Sequence, residues 1–349
     1  MQDPDLAQAL RAAVLAQDFG STPDSWQRDA PLGLHPSIDL ALAVFPPAGA
    51  PRWANVLFSR EYPRGLVADI GADAGAVRNL RFVTDLQDQR GDSMAWLPGA
   101  DWSQLAFAPL AGSGAQRFVA PYPASLLKLM VAFGVALAVD RGLCDWPAAL
   151  EPMIVISDNR STDECVALMH RCAVVDLLNQ SFAERGLATL QLNDTTPAGG
   201  WRNADGAGVG HIHMTAWDSV RLLWLIDAAA PPAPWLPPGL PPLLQSASAA
   251  HLHDVLRRQQ IEETLSSGTL KRLPGWVPGL PDAPDFAHKT GNTDNYASDA
   301  GIVQRGELHY IVAVLTSLGR RYATVAAAST TWRLPALGAA VHRIVEGLV

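Results

Sequence analysis

Ser125 and Lys128 stand three residues apart at the predicted start of a helix, in Pro123-Ala-Ser-Leu-Leu-Lys128. That spacing lays an amine beside a hydroxyl on one helix face. A serine hydroxyl is a weak nucleophile until a neighbouring base takes its proton, and a lysine serves as that base once burial or another cation depresses its pKa. The uncharged apolar run at 129–139 supplies such burial, and the free N–H groups of a first helical turn suit a developing oxyanion. The pair alone is a common pattern, equally readable as a surface lysine after a helix start. It stands out here because, of 26 Lys+Arg in 349 residues, only Lys128, Lys271 and Lys289 are lysines.

Two more groups carry chemistry. Ser157-Asp158-Asn159 follows the apolar run 153–156 and precedes a helical pattern; all three residue types also favour a helix N-cap. His288-Lys289-Thr290-Gly291 follows a strand-like stretch and reads, taken alone, as a strand ending in a glycine turn. Together, in this order and these contexts, the three groups resemble the motifs of the penicillin-recognising serine hydrolases, in their class A β-lactamase branch. Flanking residues support the resemblance: Pro123-Ala124 before the serine, Ile156 before the second motif, and Ser298-Asp-Ala-Gly-Ile-Val303 after the third. It covers about residues 119–349 and a strand near 38–45.

The resemblance implies roles. Ser125 is the nucleophile that becomes acylated and Lys128 helps remove its proton. Ser157 relays a proton to the leaving nitrogen, and Asn159 holds the substrate's amide side chain. Lys289 lowers the proton affinity of Lys128 and attracts a substrate carboxylate, which Thr290 also binds; Gly291 completes the motif. The backbone N–H groups of Ser125 and Asn292 form the oxyanion hole. No metal and no cofactor are needed. The expected acyl donor is a β-lactam, with hydrolysis of its amide bond; a D-amino-acid peptidase or esterase is the alternative, and a slowly deacylating β-lactam-binding protein the second alternative.

Four features depart from the family pattern. The loop at 187–213 contains no glutamate to activate the deacylating water; its carboxylates are Asp194 and Asp205, of which Asp194 is the better candidate base, with a turn-stabilising role as the competing reading. Only 32 residues separate Ser125 from Ser157, so part of the lobe that walls the cleft is missing. The stretch 46–116 is long and is a candidate replacement wall. No arginine lies between Lys289 and Val303 to bind a carboxylate.

The elements that must position these groups follow from periodicity. A helix is predicted at 5–18, then a Pro/Gly/Ser-rich stretch to 36 and strands at 38–45, 55–59, 80–84 and 104–108. A helix apolar on nearly every side runs from 123 to a stop at Arg141-Gly142. Further helices are expected at 162–172, 174–185, 215–229 and 249–256, then strands at 286–289, 298–303 and 308–316 and a closing helix at 334–346. Strands at both ends with helices between them predict an α+β fold: a mostly antiparallel sheet of N- and C-terminal strands, flanked by helices, with an inserted all-α lobe, as in the β-lactamase/transpeptidase folds. The expected division is 1–36 as an N-terminal helix and linker, 37–124 with 285–349 as a sheet subdomain, and 125–284 as a helical subdomain carrying Ser125 and Ser157.

Composition narrows the partners. A net charge of −8 and no basic run argue against nucleic acid or an anionic membrane surface, and no apolar stretch approaches the roughly 20 residues of a membrane span. The expected partner is a small β-lactam, peptide or ester, and the expected state a monomer. The first twenty residues lack the apolar core of a signal peptide, which leaves the compartment open. Cys165 and Cys172, seven apart on a helix, are about 10 Å apart by helical rise, too far for a disulfide; free, buried thiols are expected at 144, 165 and 172. His211-x-His213 and His251-x-His253 lack further ligands for zinc and read as packing or surface residues. Trp235 and Trp276 read as packing anchors, and Glu262-Glu263 as a solvated helix face.

Overall fold

The computed structural model describes residues 2–85, 104–200, 212–322 and 332–349. Asp205 and His211 lie outside the described residues. Helix α1 (Pro4–Leu15) begins where Asp3 accepts hydrogen bonds from the N–H groups of Asp5 and Leu6, both at 3.0 Å, with Pro4 at the first helical position. Strands β1 (Ile38–Val44), β2 (Arg52–Phe58) and β3 (Leu66–Val67) follow, then β4 (Leu80–Thr84), β5 (Pro109–Ala111) and β6 (Gln116–Ala120). The lobe consists of α2 (Lys128–Asp140), α3 (Leu150–Val155), α4 (Asn159–Arg171), α5 (Val175–Glu184), α6 (Ala216–Trp224) and α7 (Ser246–Leu256). The chain returns through β7 (Phe286–Asn292), β8 (Ala297–Arg305) and β9 (Leu308–Thr316) and closes with α8 (Arg333–Glu346).

The main sheet is antiparallel, in the order β7-β8-β9-β1-β2-β3, so the last strands pair with the first. Its faces are set by alternation. Leu40, Leu42 and Val44 of β1, with Tyr310, Val312 and Val314 of β9, pack in the cluster that also holds Leu6 and Leu10 of α1 and Leu337 and Val341 of α8. Ala41, Ala43, Ile311 and Ala313 point the other way, into the core shared with the lobe. Every residue of β1 is buried, because helices cover both faces of the sheet. Its one acid, Asp39, is neutralised structurally: Asn55 Nδ2 donates to it at 2.7 Å and the Ala216 N–H at 2.8 Å, tying the strand to the start of α6. Burial raises the Asp39 pKa to about 6.

The stretch before Ser125 builds a small second sheet, β5-β4-β6, with β4 parallel to β6. Residues 104–108, read as a strand, are not one. They lay Leu105 and Phe107 on Val83 and Val119, and strand pairing begins only at Pro109. Asp85, just past β4, accepts a hydrogen bond from Tyr296 Oη at 2.8 Å and so reaches the loop between β7 and β8.

In the lobe, α2 is buried almost all round and ends at Asp140; two residues on, Gly142 takes a φ of +67 that glycine meets without strain. Leu143 N–H bonds Ala138 O at 3.0 Å there. Helix α6 is shorter than the predicted 215–229: Thr215 is its cap, and beyond Trp224 the chain tightens, with Leu225 and Ile226 bonding three residues back. His251 and His253 lie on α7, as the helix expected at 249–256 requires, with His251 against Trp146. Trp235 packs on Trp224, whereas Trp276 is 37% exposed. Only Cys165 is a buried thiol; Cys144 and Cys172 are half-buried. Glu262 is buried rather than solvated. Among the described residues no helix is long and apolar enough to cross a membrane.

Candidate active site

Ser125 lies in a turn of 3-10 helix, Ala124–Leu127, that leads into α2, rather than in the α-helix itself. The approach is stiff: β6 runs into Pro121-Tyr122-Pro123, and Ala124 then takes a φ of +51. A left-handed alanine costs roughly 1 kcal/mol, so the surroundings must hold it. They do so through Ser298 Oγ, which donates to Pro123 O at 2.5 Å, and through the Leu126 N–H, which bonds the same carbonyl at 3.1 Å.

Lys128, the first residue of α2, is 1% exposed. Its ammonium donates to Ser157 O at 2.6 Å, Ser157 Oγ at 3.0 Å and Asn159 Oδ1 at 2.8 Å. Burial lowers its pKa to about 8 against the opposing charges of Asp158 and Asp163. Ser157 turns the chain out of α3 with a φ of +56, and Asp158 caps α4 by accepting from Ser161 N–H at 2.7 Å. The N-cap reading of the second motif therefore holds for Asp158, while Ser157 and Asn159 turn inward to Lys128.

Lys289, Thr290 and Gly291 lie on β7, the edge strand, which packs against the 124–127 turn. Lys289 is fully buried; Nζ donates to Ser157 Oγ at 3.0 Å and to Thr290 O at 2.7 Å. Burial, then the charge of Lys128, hold its pKa well below the usual lysine range. A Cβ on Gly291 would stand 2.4 Å from Pro123 O and 2.6 Å from Leu126 N, so only glycine lets the strand approach the turn. The Thr293 N–H bonds Tyr296 O at 2.8 Å, which makes 293 and 296 a hydrogen-bonded pair. Asn292, opposite Ala297, is then the alternate kind, and its N–H points off the free edge toward that turn.

Ser125, Lys128, Ser157, Asn159, Lys289, Thr290, Gly291 and Asn292 thus converge where the lobe meets the sheet edge. The half-buried Ser125 hydroxyl makes no hydrogen bond among the described residues, and Lys128 turns to the second motif instead. Asp194 is not brought to this cluster. It sits with a φ of +52 on a separate cavity lined by His170, Asp176, Asn179 and Thr195.

One buried group escaped sequence reasoning. His288 faces away from Lys289, stacked on Phe286, with Nδ1 2.7 Å from Asp299 Oδ1 and Nε2 3.2 Å from Glu262 Oε2. Burial opposes its charge, but Asp299 and Glu262 outweigh it and raise the pKa to about 9. The signal was there in part: a histidine next to Lys289, and an aspartate eleven residues on, two before its cross-strand partner Gly301. Among the described residues no group of three or more metal-ligating side chains converges.

The fold is shared with known structures. A β-lactamase from Sphaerobacter thermophilus DSM 20745 superposes with a TM-score of 0.54 at 13% identity, covering 98% of each chain. PBP-A gives 0.51 at 17% identity, and a PBP-A variant captured as an acyl-enzyme with penicillin G gives 0.52 at 17%, each covering 99% of this chain and 98% of the other. No curated protein matches the chain. Residues 144–331, which include the second and third motifs, match the family described as the beta-lactamase enzyme family. With that match spanning more than half its length, on a mixed fold with an antiparallel sheet, the chain belongs to the beta-lactamase enzyme family.

Proposed function

We propose that the protein is a serine hydrolase that works through an acyl-enzyme at Ser125, with β-lactam amides as acyl donors. The observation that carries this reading is the Ser157 hydroxyl, 3.0 Å from both the Lys128 and the Lys289 ammonium groups. A hydroxyl between two amines of depressed basicity is a proton relay. Neutral Lys128 takes the Ser125 proton, Ser125 Oγ attacks the amide carbonyl, and the oxyanion is met by the N–H groups of Ser125 and Asn292. Ser157 passes a proton to the leaving nitrogen as the C–N bond breaks. Lys289 and Thr290 bind the substrate carboxylate and Asn159 its side-chain amide. The reacting groups then sit between a sheet subdomain, 37–124 with 285–349, and a helical subdomain, 125–284, with 1–36 as the N-terminal segment.

Clearing the acyl-enzyme needs a water and a base. Asp194 is the candidate within 187–213, yet it opens onto a different cavity. That separation favours the second reading, slow deacylation, under which the physiological reaction is that of a D-amino-acid peptidase or esterase or of a β-lactam-binding protein.

Fluorescent penicillin and a chromogenic cephalosporin, followed by intact-mass spectrometry, separate these outcomes. Covalent labelling at Ser125 is expected. Turnover of the cephalosporin marks a β-lactamase, and a persistent adduct marks the slow alternatives. Full hydrolysis by Ser125→Ala would overturn the assignment of the nucleophile.

A further inference from the structure

We infer that Cys144 and Cys172 are a redox-sensitive pair that closes into a disulfide across the two ends of the segment carrying Ser157, Asp158 and Asn159. Cys144 follows the Gly142 turn at the end of α2, and Cys172 caps the end of α4. Cys172 Sγ lies 4.0 Å from Leu143 O, the carbonyl joined to Cys144, which sets the two thiols beside each other, close enough to interact. Both are half-buried on the rim of the core shared by the lobe and the sheet, so a small oxidant reaches them. Cys165, by contrast, is fully buried on α4. Pairing cysteines by spacing along one helix compares 165 with 172, whereas the return of the chain at the end of α4 brings 172 to 144.

Burial and then the neighbouring thiol raise the Cys144 pKa, with Asp145 adding to the shift and Arg171 opposing it. A packed thiol of this kind is slow to ionise, and its reaction is driven by the partner at hand. The step is an exchange with a small-molecule disulfide such as oxidised glutathione. One cysteine thiolate attacks it, forming a mixed disulfide and expelling one glutathione thiolate; the second cysteine attacks the protein sulfur and expels the other. Two protein thiols lose two electrons, the external disulfide gains them, and the two protons end on the two released thiols. The closed loop spans 28 residues and removes chain entropy from the unfolded state, for a rise in Tm of about 5 °C in a chain of this size.

The test uses the full chain equilibrated with excess oxidised glutathione, then alkylated under denaturing conditions and mapped by mass spectrometry. Alkylatable thiols fall from three to one, the survivor is Cys165, and a peptide links Cys144 to Cys172. Dithiothreitol reverses the linkage and the Tm rise. Cys144→Ser and Cys172→Ser each lose the rise and carry glutathione on the remaining member of the pair. Three free thiols at equilibrium, stable glutathione on both cysteines without a linked peptide, or a covalent dimer on non-reducing electrophoresis would overturn the inference. None of these readouts depends on hydrolysis, so they stand apart from the reaction proposed above.

Discussion

Lys128 and Lys289 occupy positions where arginine fails for a physical reason. A guanidinium does not give up its proton at any relevant pH, and its planar fork does not fit the compact, three-donor contact that Lys128 makes with Ser157 O, Ser157 Oγ and Asn159 Oδ1. Lys128→Arg is expected to keep the charge and lose acylation by about 10²–10⁴-fold, the usual contribution of a positioned base. Lys271 is the control. It pairs with Asp282 at 2.5 Å, more than half exposed, and Lys271→Arg is expected to acylate at the wild-type rate. Rates of fluorescent penicillin labelling for the two variants decide both. The same chemistry fixes a pH dependence: the base is the neutral amine, so labelling rises with pH through the Lys128 pKa of about 8 and levels above it. A profile flat from pH 6 to 9 would remove Lys128 as the base. A chain so poor in lysine makes these residues legible in the sequence; Glu262 is not, because nothing in Glu262-Glu263 says that one of the two is folded beneath β7.

Strand β7 does two jobs on its two faces, and each can be broken separately. On one side Gly291 lets it close on the 124–127 turn that carries Ser125. Gly291→Ala forces Pro123 O, Ser298 Oγ and Leu126 N to move, and is expected to destabilise the fold by about 2 kcal/mol and to cut labelling of Ser125 far more than a remote variant of equal stability. On the other side His288 joins β7 to Asp299 on β8 and to Glu262. Its folded pKa, about 9, lies above the ordinary 6.5, so its contribution is fully present below pH 6.5 and is lost as pH rises through 9. The difference in stability between wild type and His288→Asn is therefore expected to shrink by roughly 3 kcal/mol across that window, as read by urea unfolding; comparison of the two proteins cancels the opposite trend of the buried lysines. A pH-independent difference would mean that the imidazole is neutral. At this scale the sequence is a good guide to β4, β9 and α8, where a short apolar run or helical periodicity is unbroken. It failed at 104–108, where an alternating run packs two side chains without strand pairing, and at the cysteines, where proximity comes from the path of the chain and not from helical spacing.

The whole molecule is closed by its ends. Helices α1 and α8 pack together behind the sheet, and the segment between α1 and β1 crosses to the far side of the β7–β8 loop. There Asp24, buried, meets Arg321 at 2.5 Å, and the same guanidinium donates to Asn295 Oδ1 at 3.2 Å and lies over the rings of Trp26 and Tyr322. Neighbouring backbone bonds, Arg320 N–H to Thr293 O and Arg321 N–H to Asp294 O, hold the loop that follows Asn292, the residue proposed for the oxyanion hole. A Pro/Gly/Ser-rich stretch before the first strand reads as a linker, because an ion pair formed across 297 positions of sequence leaves no local trace. Removing one charge from a buried pair strands the other, at about 3 kcal/mol. Asp24→Asn is thus expected to lower Tm by about 4 °C in a chain of this length, and the double variant Asp24→Asn/Arg321→Met to recover part of that loss. If the single variant melts with the wild type, the pair contributes nothing, and the segment is a linker after all. If it melts early and also labels more slowly at temperatures where it is folded, the N-terminal segment acts on the reaction through the β7–β8 loop, about 270 residues away along the chain and two hydrogen bonds away in space, by way of Arg321.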